Sequence, residues 1–421
     1  MKPRLLLLVP TSTYRADAFV RAARRLPVDL SIASETESSL SHLHPVDLPS
    51  FDFDDPIGAA SRARRFARQT PVHAVVAVDD RSVLAAAAIA EALGLPHNPI
   101  DAVRATVNKY LARERMRAAR VPTPKYALLS LQAPVHALAY EMERAVGYPA
   151  VLKPLSMSAS RGVVRVNDAM AFAPAFERLA RLVRSAPSPH DMLARGHILA
   201  ESYVDGWEVA VEGIVTRGRL DVLAIFDKPD PLEGPVFPET MYVTPSRLPP
   251  DAQQRIVETS AAAVRAIGLV DGPVHVELRG SDNAVIPIEV HARSIGGLCS
   301  RVLRFADGRS LEDVILQHAL GLTQVPPREA RAAGVWMMQA PRAGRFESLR
   351  GASAAAEVPD VEEIVVSARP GQHLTPLPDG FLYVGFVFAR ADMPELVERA
   401  LRAAFARLEP IIEDFSAEAR V

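Results

Sequence analysis

Val274-His-Val-Glu-Leu-Arg279, then Gly280-Ser-Asp-Asn283, then Ala284-Val-Ile-Pro-Ile-Glu-Val-His-Ala-Arg293 is the most informative stretch of this chain. Turn-forming residues lie between two alternating apolar runs, which predicts an antiparallel hairpin. With its centre at Asn283, Leu278 faces Ile288, Glu277 faces Glu289 and His275 faces His291. Side chains alternate across a sheet. One face then carries Val274, Val276, Leu278, Ile286, Ile288 and Val290, and is core. The other carries His275, Glu277, Arg279, Glu289, His291 and Arg293. Opposed residues hold their Cβ atoms about 4.5–5.5 Å apart, so two facing carboxylates repel unless a cation or a shared proton intervenes. A hard oxygen site for Mg²⁺ removes that repulsion. The competing reading is a solvated face with arginine neighbours. The second strand leaves through Ala292-Arg-Ser-Ile-Gly-Gly297, whose paired glycines allow backbone amides to cradle an anion. Arg293 is placed to neutralise charge on a transferred phosphoryl group or a tetrahedral adduct.

Upstream of the hairpin the chain alternates strand and helix. Residues 4–10 form a buried strand, 15–26 a helix, Leu30–Ala33 and Ala74–Val78 further strands, and 81–93 an Ala-rich helix closed by Gly94. This predicts a doubly wound parallel-sheet domain over residues 1–95. Asp79 and Asp80 end the third strand, where such sheets place ligands; a helix N-cap is the other reading of Asp80. A helix is expected over 101–119, stopped by Val121-Pro-Thr-Pro124. Strands follow at Ala150–Lys153 and Val163–Val166, a helix near 168–184, and a Pro/Ser-rich connection at Ser185–His190. His197–Val204 and Trp207–Val215 read as strands joined by a tight turn at Asp205-Gly206. Residues 226–250 hold seven prolines without a regular period, the mark of a lid or binding loop. A helix is expected over 251–267, then strands near 335–340, 361–367 and 383–389. A last helix follows, with Asp392 as its cap and Glu395 at the capping-box position.

The 421 residues suggest about two to four domains. A net charge of −2 argues against a dedicated nucleic-acid binder. The single cysteine, Cys299, excludes an intrachain disulfide and reads as a packing residue. The apolar runs Leu5–Val9 and Ala85–Ala90 are too short for a signal core or a membrane span, so a cytoplasmic protein is expected. Of 48 basic residues only five are lysines, at 2, 109, 125, 153 and 228. A lysine kept against that bias marks a place where a planar arginine would fail.

The ordered set of motifs resembles the ATP-grasp superfamily, in its carboxylate–amine ligase branch, and within it the bacterial L-amino acid ligases. The carriers are Ile288-Glu-Val-His-Ala-Arg293 with Gly296-Gly297, Val151-Leu-Lys-Pro154, Ser156–Gly162, Glu201-Ser-Tyr-Val204 with Asp205-Gly-Trp-Glu208, and Asn108-Lys109. The resemblance implies an α/β (α+β overall) ATP-grasp fold: a doubly wound N-terminal domain (1–95), a helical linker (96–120), a lid (121–200), a catalytic core (201–325) and a C-terminal α+β section (326–421). It implies that Lys109 and Lys153 bind ATP phosphates, with Ser158, Ser160, Arg161 and Gly162 in the loop that covers them. Glu201, Ser202, Tyr203 and Val204 would hold adenine, and Glu208 the ribose; His275 would border the nucleotide. Glu277 and Glu289 would hold Mg²⁺, with Arg293 and Ser294 at the reaction centre. Asp227 and Lys228, at the start of the Pro-rich loop, would position substrate; a plain surface loop is the other reading. Arg301 and Arg304 read either as a substrate clamp or as ordinary ion pairs.

Two departures stand out. His291 replaces the usual asparagine, so it either ligates the metal, with Mn²⁺ then an alternative, or meets phosphate or substrate. The covering loop has one glycine where relatives often have several, which implies a stiffer loop. The implied reaction joins a small-molecule acid and an amine, amino acids foremost, through an acylphosphate, without nucleic acid or membrane. A homodimer is common among relatives. The alternatives are a biotin-carboxylase or N-carboxylating type enzyme, and a non-catalytic ATP-binding protein.

Overall fold

The computed structural model describes residues 2–38, 44, 46–186, 191–281, 284–322, 324–380 and 382–414. The expected turn centre at Asn283 and positions 187–190 of the Pro/Ser-rich connection lie outside them. Leu5 to Leu8 are wholly buried, as a parallel central strand requires. Their strand, Arg4–Leu8, lies between Asp29–Ala33 and Ala74–Ala77, both parallel to it. A helix that lacked a clear sequence signal, Pro56–Gln69, packs beside Val83–Leu93.

A second, antiparallel sheet has the strand order Tyr126–Ser130, His197–Ser202, Ala150–Pro154, Val164–Val166. Helices Val135–Ala145 and Ala169–Ser185 cover one of its faces. The third sheet has eight strands, all paired antiparallel. It runs from the hairpin, Val285–His291 and Asp271–Gly280, through Trp207–Thr216, Arg219–Asp227 and Met241–Thr244 to the C-terminal strands Ala332–Gln339, Tyr383–Ala391 and Val361–Val366. Among the described residues, no helix is long and apolar enough to cross a membrane.

The hairpin keeps the expected pairs His275–His291, Val276–Val290 and Glu277–Glu289. It then shifts: Leu278 faces Pro287, not Ile288. Pro287 lacks the N–H that a regular ladder needs, and proline in a sheet belongs at an edge or a bulge. This strand is both. The shift also corrects the faces. Val285 joins the core, while Ile286, opposite Arg279, lies on the polar side, and Ile288 stays outside the core cluster.

Four other expectations change. The helix over 101–119 is two helices, Ile100–Thr106 and Lys109–Ala118, because the Asn108 side chain caps the second by accepting from the Leu111 amide. Asp205-Gly206 does not close a hairpin: the strands beside it belong to different sheets, so it is the crossing between them. Gly206 has φ +102°, and an added Cβ would lie 2.1 Å from the Gly280 carbonyl oxygen. The Pro-rich stretch contains the strand Met241–Thr244. The last helix, Pro394–Phe405, has Met393 at its N-cap position and a proline at its start, while Asp392 pairs with Arg331 instead.

One side chain joins these parts. Arg113 lies on Lys109–Ala118 and is 1% exposed. Its Nε donates to Glu201 Oε1 (2.5 Å), and its two terminal nitrogens donate to the carbonyls of Pro287 (3.2 Å) and Ile288 (2.6 Å). It therefore serves the bulge carbonyls and a carboxylate of the second sheet together. Arg113→Ala should destabilise the protein by about 3–5 kcal/mol, because it strands a buried carboxylate and two carbonyls. A urea titration followed by circular dichroism measures this; a loss under about 1 kcal/mol would contradict the bridging role.

Candidate functional site

The polar face of the hairpin extends onto the next strand. Arg279 pairs with Glu208, Glu277 with Ala210 and His275 with Glu212. Glu208, Ala210 and Glu212 thus lie on the same face.

Glu277 and Glu289 are Cα partners, but each has its own cation. Lys228 Nζ donates to Glu277 Oε2 (3.2 Å), Glu208 Oε1 (2.6 Å) and Glu239 Oε1 (2.9 Å). Burial opposes the charge on Lys228, and the three carboxylates outweigh it, holding the ammonium well above its usual range. Burial likewise works against ionised Glu277, yet Lys228 and His275 leave it well below the carboxylate range. Glu239 is pushed up to about 7, by burial first and by Glu277 and Glu208 against Lys228. Tyr242 donates its hydroxyl to Glu239 Oε2 at 2.5 Å.

Lys109 Nζ lies 3.4 Å from Glu289 Oε1 and donates to the Met157 carbonyl at 2.6 Å. His291 Nε2 is 3.1 Å from Glu289 Oε2, and its Nδ1 is 3.2 Å from Asp80 Oδ1. Burial favours a neutral Glu289, but Lys109 and His291 bring it to about 2. Asp80 also takes Arg293 at 2.7 Å and is held well below its usual range despite burial. The N-cap position of the helix near Asp80 is Ser82, so the N-cap reading of Asp80 does not hold, and its carboxylate serves His291 and Arg293 instead.

Lys153 Nζ lies 2.7 Å from Glu201 Oε2. Burial alone would raise the Glu201 carboxyl; Arg113 and Lys153 overcome it and leave it at about 2. Glu201 is thus an interior ion-pair centre and not a rim residue. Ser202 binds the Lys125 backbone from both its amide and its hydroxyl. Tyr203 accepts from Arg279 and donates to the Leu232 carbonyl, with Val204 following at the sheet crossing. His275 lies between Glu212 (3.2 Å) and Glu277 (3.4 Å).

In the covering loop, Ala159 (φ +55°) and Ser160 (φ +56°) adopt left-handed backbone without glycine, which costs roughly 1 kcal/mol each. Ser158 accepts the Arg161 amide through its carbonyl, while the Arg161 side chain and the Gly162 amide bind carbonyls of the C-terminal section. Ser294 accepts from Arg15, a buried residue of the first domain. Arg301 and Arg304 form ion pairs with Glu363 and Glu362, the ordinary reading of both. Cys299 is buried with its sulfur 3.5 Å from that of Met337.

The sequence reading missed Arg113, Glu239, Glu212 and Arg15. Glu212 had a signal, as a second charge in phase with Glu208 on one strand. Glu239 had none beyond its place in the Pro-rich loop.

Does a divalent cation fit here? Glu277 and Glu289 offer carboxylate oxygens held ionised, the chemistry Mg²⁺ prefers. Oxygens of Glu208, Glu239 and Glu277 lie within 4.8 Å of one another. Lys228 Nζ contacts all three members of that trio, and Lys109 lies beside Glu289. With Nδ1 on Asp80, His291 directs Nε2 at Glu289, the orientation a metal-binding histidine takes from a carboxylate partner.

Most of the chain is similar to known proteins. Profiles match for an ATP-grasp N-terminal domain at residues 20–97, an ATP-grasp domain at 146–302 and L-amino acid ligase C-terminal domain 2 at 336–413. The chain is 27% identical to alanine–anticapsin ligase of Bacillus subtilis over 201 residues, 45% of this chain and 41% of that one. It is 32% identical to carnosine synthase 1 of Gallus gallus over 286 residues, 66% of this chain and 30% of that one. The chain therefore spans less than half the length of either ligase. The crystal structure of L-amino acid ligase from Bacillus licheniformis shares the fold, with TM-score 0.82, 24% identity and coverage of 98% and 99%. The chain belongs to the ATP-grasp superfamily, and its C-terminal section matches the L-amino acid ligase type.

Proposed function

We propose that this protein is an ATP-dependent carboxylate–amine ligase that joins amino-acid-type substrates into an amide of dipeptide kind. One observation carries the reading. Lys109, Lys153, Lys228 and Arg293 come from four separate segments, and each lies against a carboxylate at or next to the Glu277–Glu289 hairpin. Such an array suits a triphosphate and a divalent ion. Among the matched curated relatives, one is named as a ligase and another as a synthase.

The reaction runs in two displacements. A substrate carboxylate oxygen attacks the γ-phosphorus, and the bond to ADP breaks. The amine nitrogen then attacks the acyl carbon of the acylphosphate, loses a proton, and inorganic phosphate leaves with the C–O electron pair. The protein supplies position and charge rather than a nucleophile. Lys109 and Lys153 bind phosphates. Glu277 and Glu289, with His291 Nε2 beside them, would hold Mg²⁺ or Mn²⁺, which neutralises charge on phosphate oxygens. Arg293, fixed by Asp80, faces the charge that develops on transfer. Lys228, in contact with Glu208, Glu239 and Glu277, would help position the substrate.

A pairwise amino-acid screen reading phosphate release, with mass spectrometry of products, tests the assignment. Amide products with ADP are expected; release driven by bicarbonate alone would make the protein a carboxylase. Glu289→Gln should lower turnover by about a hundredfold or more with the fold intact by circular dichroism. Near-normal turnover would remove Glu289 from the metal site. Arg293→Ala should lower kcat by about 10²–10³-fold while the KM for ATP changes little. Steady-state kinetics check this, and the reverse pattern would make Arg293 a binding group.

A further inference from the structure

We infer that Asp379, in the C-terminal section, is a positioning residue for phosphoryl transfer, holding the covering loop Ser156–Gly162 closed from outside the ATP-grasp core. This rests on the reading of that loop as the cover of the triphosphate.

The contacts are specific. The Asp379 carboxylate takes Arg178 through both Nε (3.1 Å) and a terminal nitrogen (2.7 Å). Arg178 lies on the helix Ala169–Ser185, which packs on the sheet that carries the loop. The Asp379 carbonyl accepts from Arg161 Nε at 2.9 Å, and the Pro378 carbonyl accepts the Gly162 amide at 2.7 Å. One turn of the C-terminal section thus grips both the loop and the helix beside it. That turn is shaped to stay: the Gly380 amide closes on the Pro376 carbonyl, and a Cβ at Gly380 would lie 1.6 Å from the Thr375 oxygen.

The loop needs such a grip. Left-handed backbone at Ala159 and Ser160 persists only where surrounding structure holds it. Gly162 is pressed on the same helix, since a Cβ there would lie 2.8 Å from Leu179 Cδ1. At its other end the loop is tied to the site, because Lys109 donates to the Met157 carbonyl and lies beside Glu289. Asp379 therefore acts on the phosphate lysine through the loop, without touching substrate. A bidentate arginine–carboxylate pair supplies the directional hold that a single contact lacks.

The experiment uses the full chain. Dissociation of a fluorescent ATP analogue, with Mg²⁺, is followed by stopped flow in wild type, Asp379→Ala, Arg178→Ala and the Arg178→Asp/Asp379→Arg exchange. Limited trypsin cleavage after Arg161 is followed in the same proteins without nucleotide. Each single variant should release nucleotide roughly three- to tenfold faster and expose Arg161 to trypsin, and the exchange should restore both. Unchanged release and unchanged cleavage in Asp379→Ala overturn the inference. So does a general rise in cleavage that the exchange fails to rescue, which marks a merely structural role. If wild type binds no nucleotide, the ligase reading fails, and the trypsin comparison still decides the grip.

Discussion

The structure depends on charge balance where its first three sheets meet. Asp80, Glu201, Glu277 and Glu289 are all held ionised against burial. A carboxylate removed from water without a partner costs several kcal/mol, so each needs a cation at contact distance. Those cations are remote in sequence. Arg113 and Lys109 come from one helix, Lys153 from the second sheet, Lys228 from the edge of the Pro-rich loop and Arg293 from the exit of the hairpin. Each carboxylate thus has a cation supplied by a segment remote from it in the chain.

This explains which features the sequence revealed. The Glu277–Glu289 opposition follows from local alternation and a turn, and its pairing is as expected. The parallel sheet and the order of strands are also local matters of period and apolar runs. The partners of the carboxylates are not local. Arg113 sits in an ordinary amphipathic helix, and nothing near it in the chain announces that its fork meets Glu201 and two carbonyls of the hairpin. Glu239 belongs to a stretch without period, so no face could be assigned to it.

The misread positions share one cause: a backbone group that cannot take its regular role. Pro287 has no amide hydrogen, so the ladder slips by one residue, and Arg113 meets the carbonyls beside the slip. Gly206 lies where the chain passes from one sheet to another against the Gly280 carbonyl, a place without room for a side chain. Asn108 interrupts a helical pattern because its side chain offers the next helix a better start. Each is visible as a residue type; its consequence depends on what packs against it.

The split between lysine and arginine follows from the same balance. Arg113 has three fixed partners, and releasing any of them would leave a buried oxygen unmet. A planar fork suits that permanent duty. Lys109, Lys153 and Lys228 instead place a point charge on a carboxylate, at the end of a flexible stem. In a chain that uses arginine almost everywhere, three of the five lysines stand on carboxylates of this site or its wall.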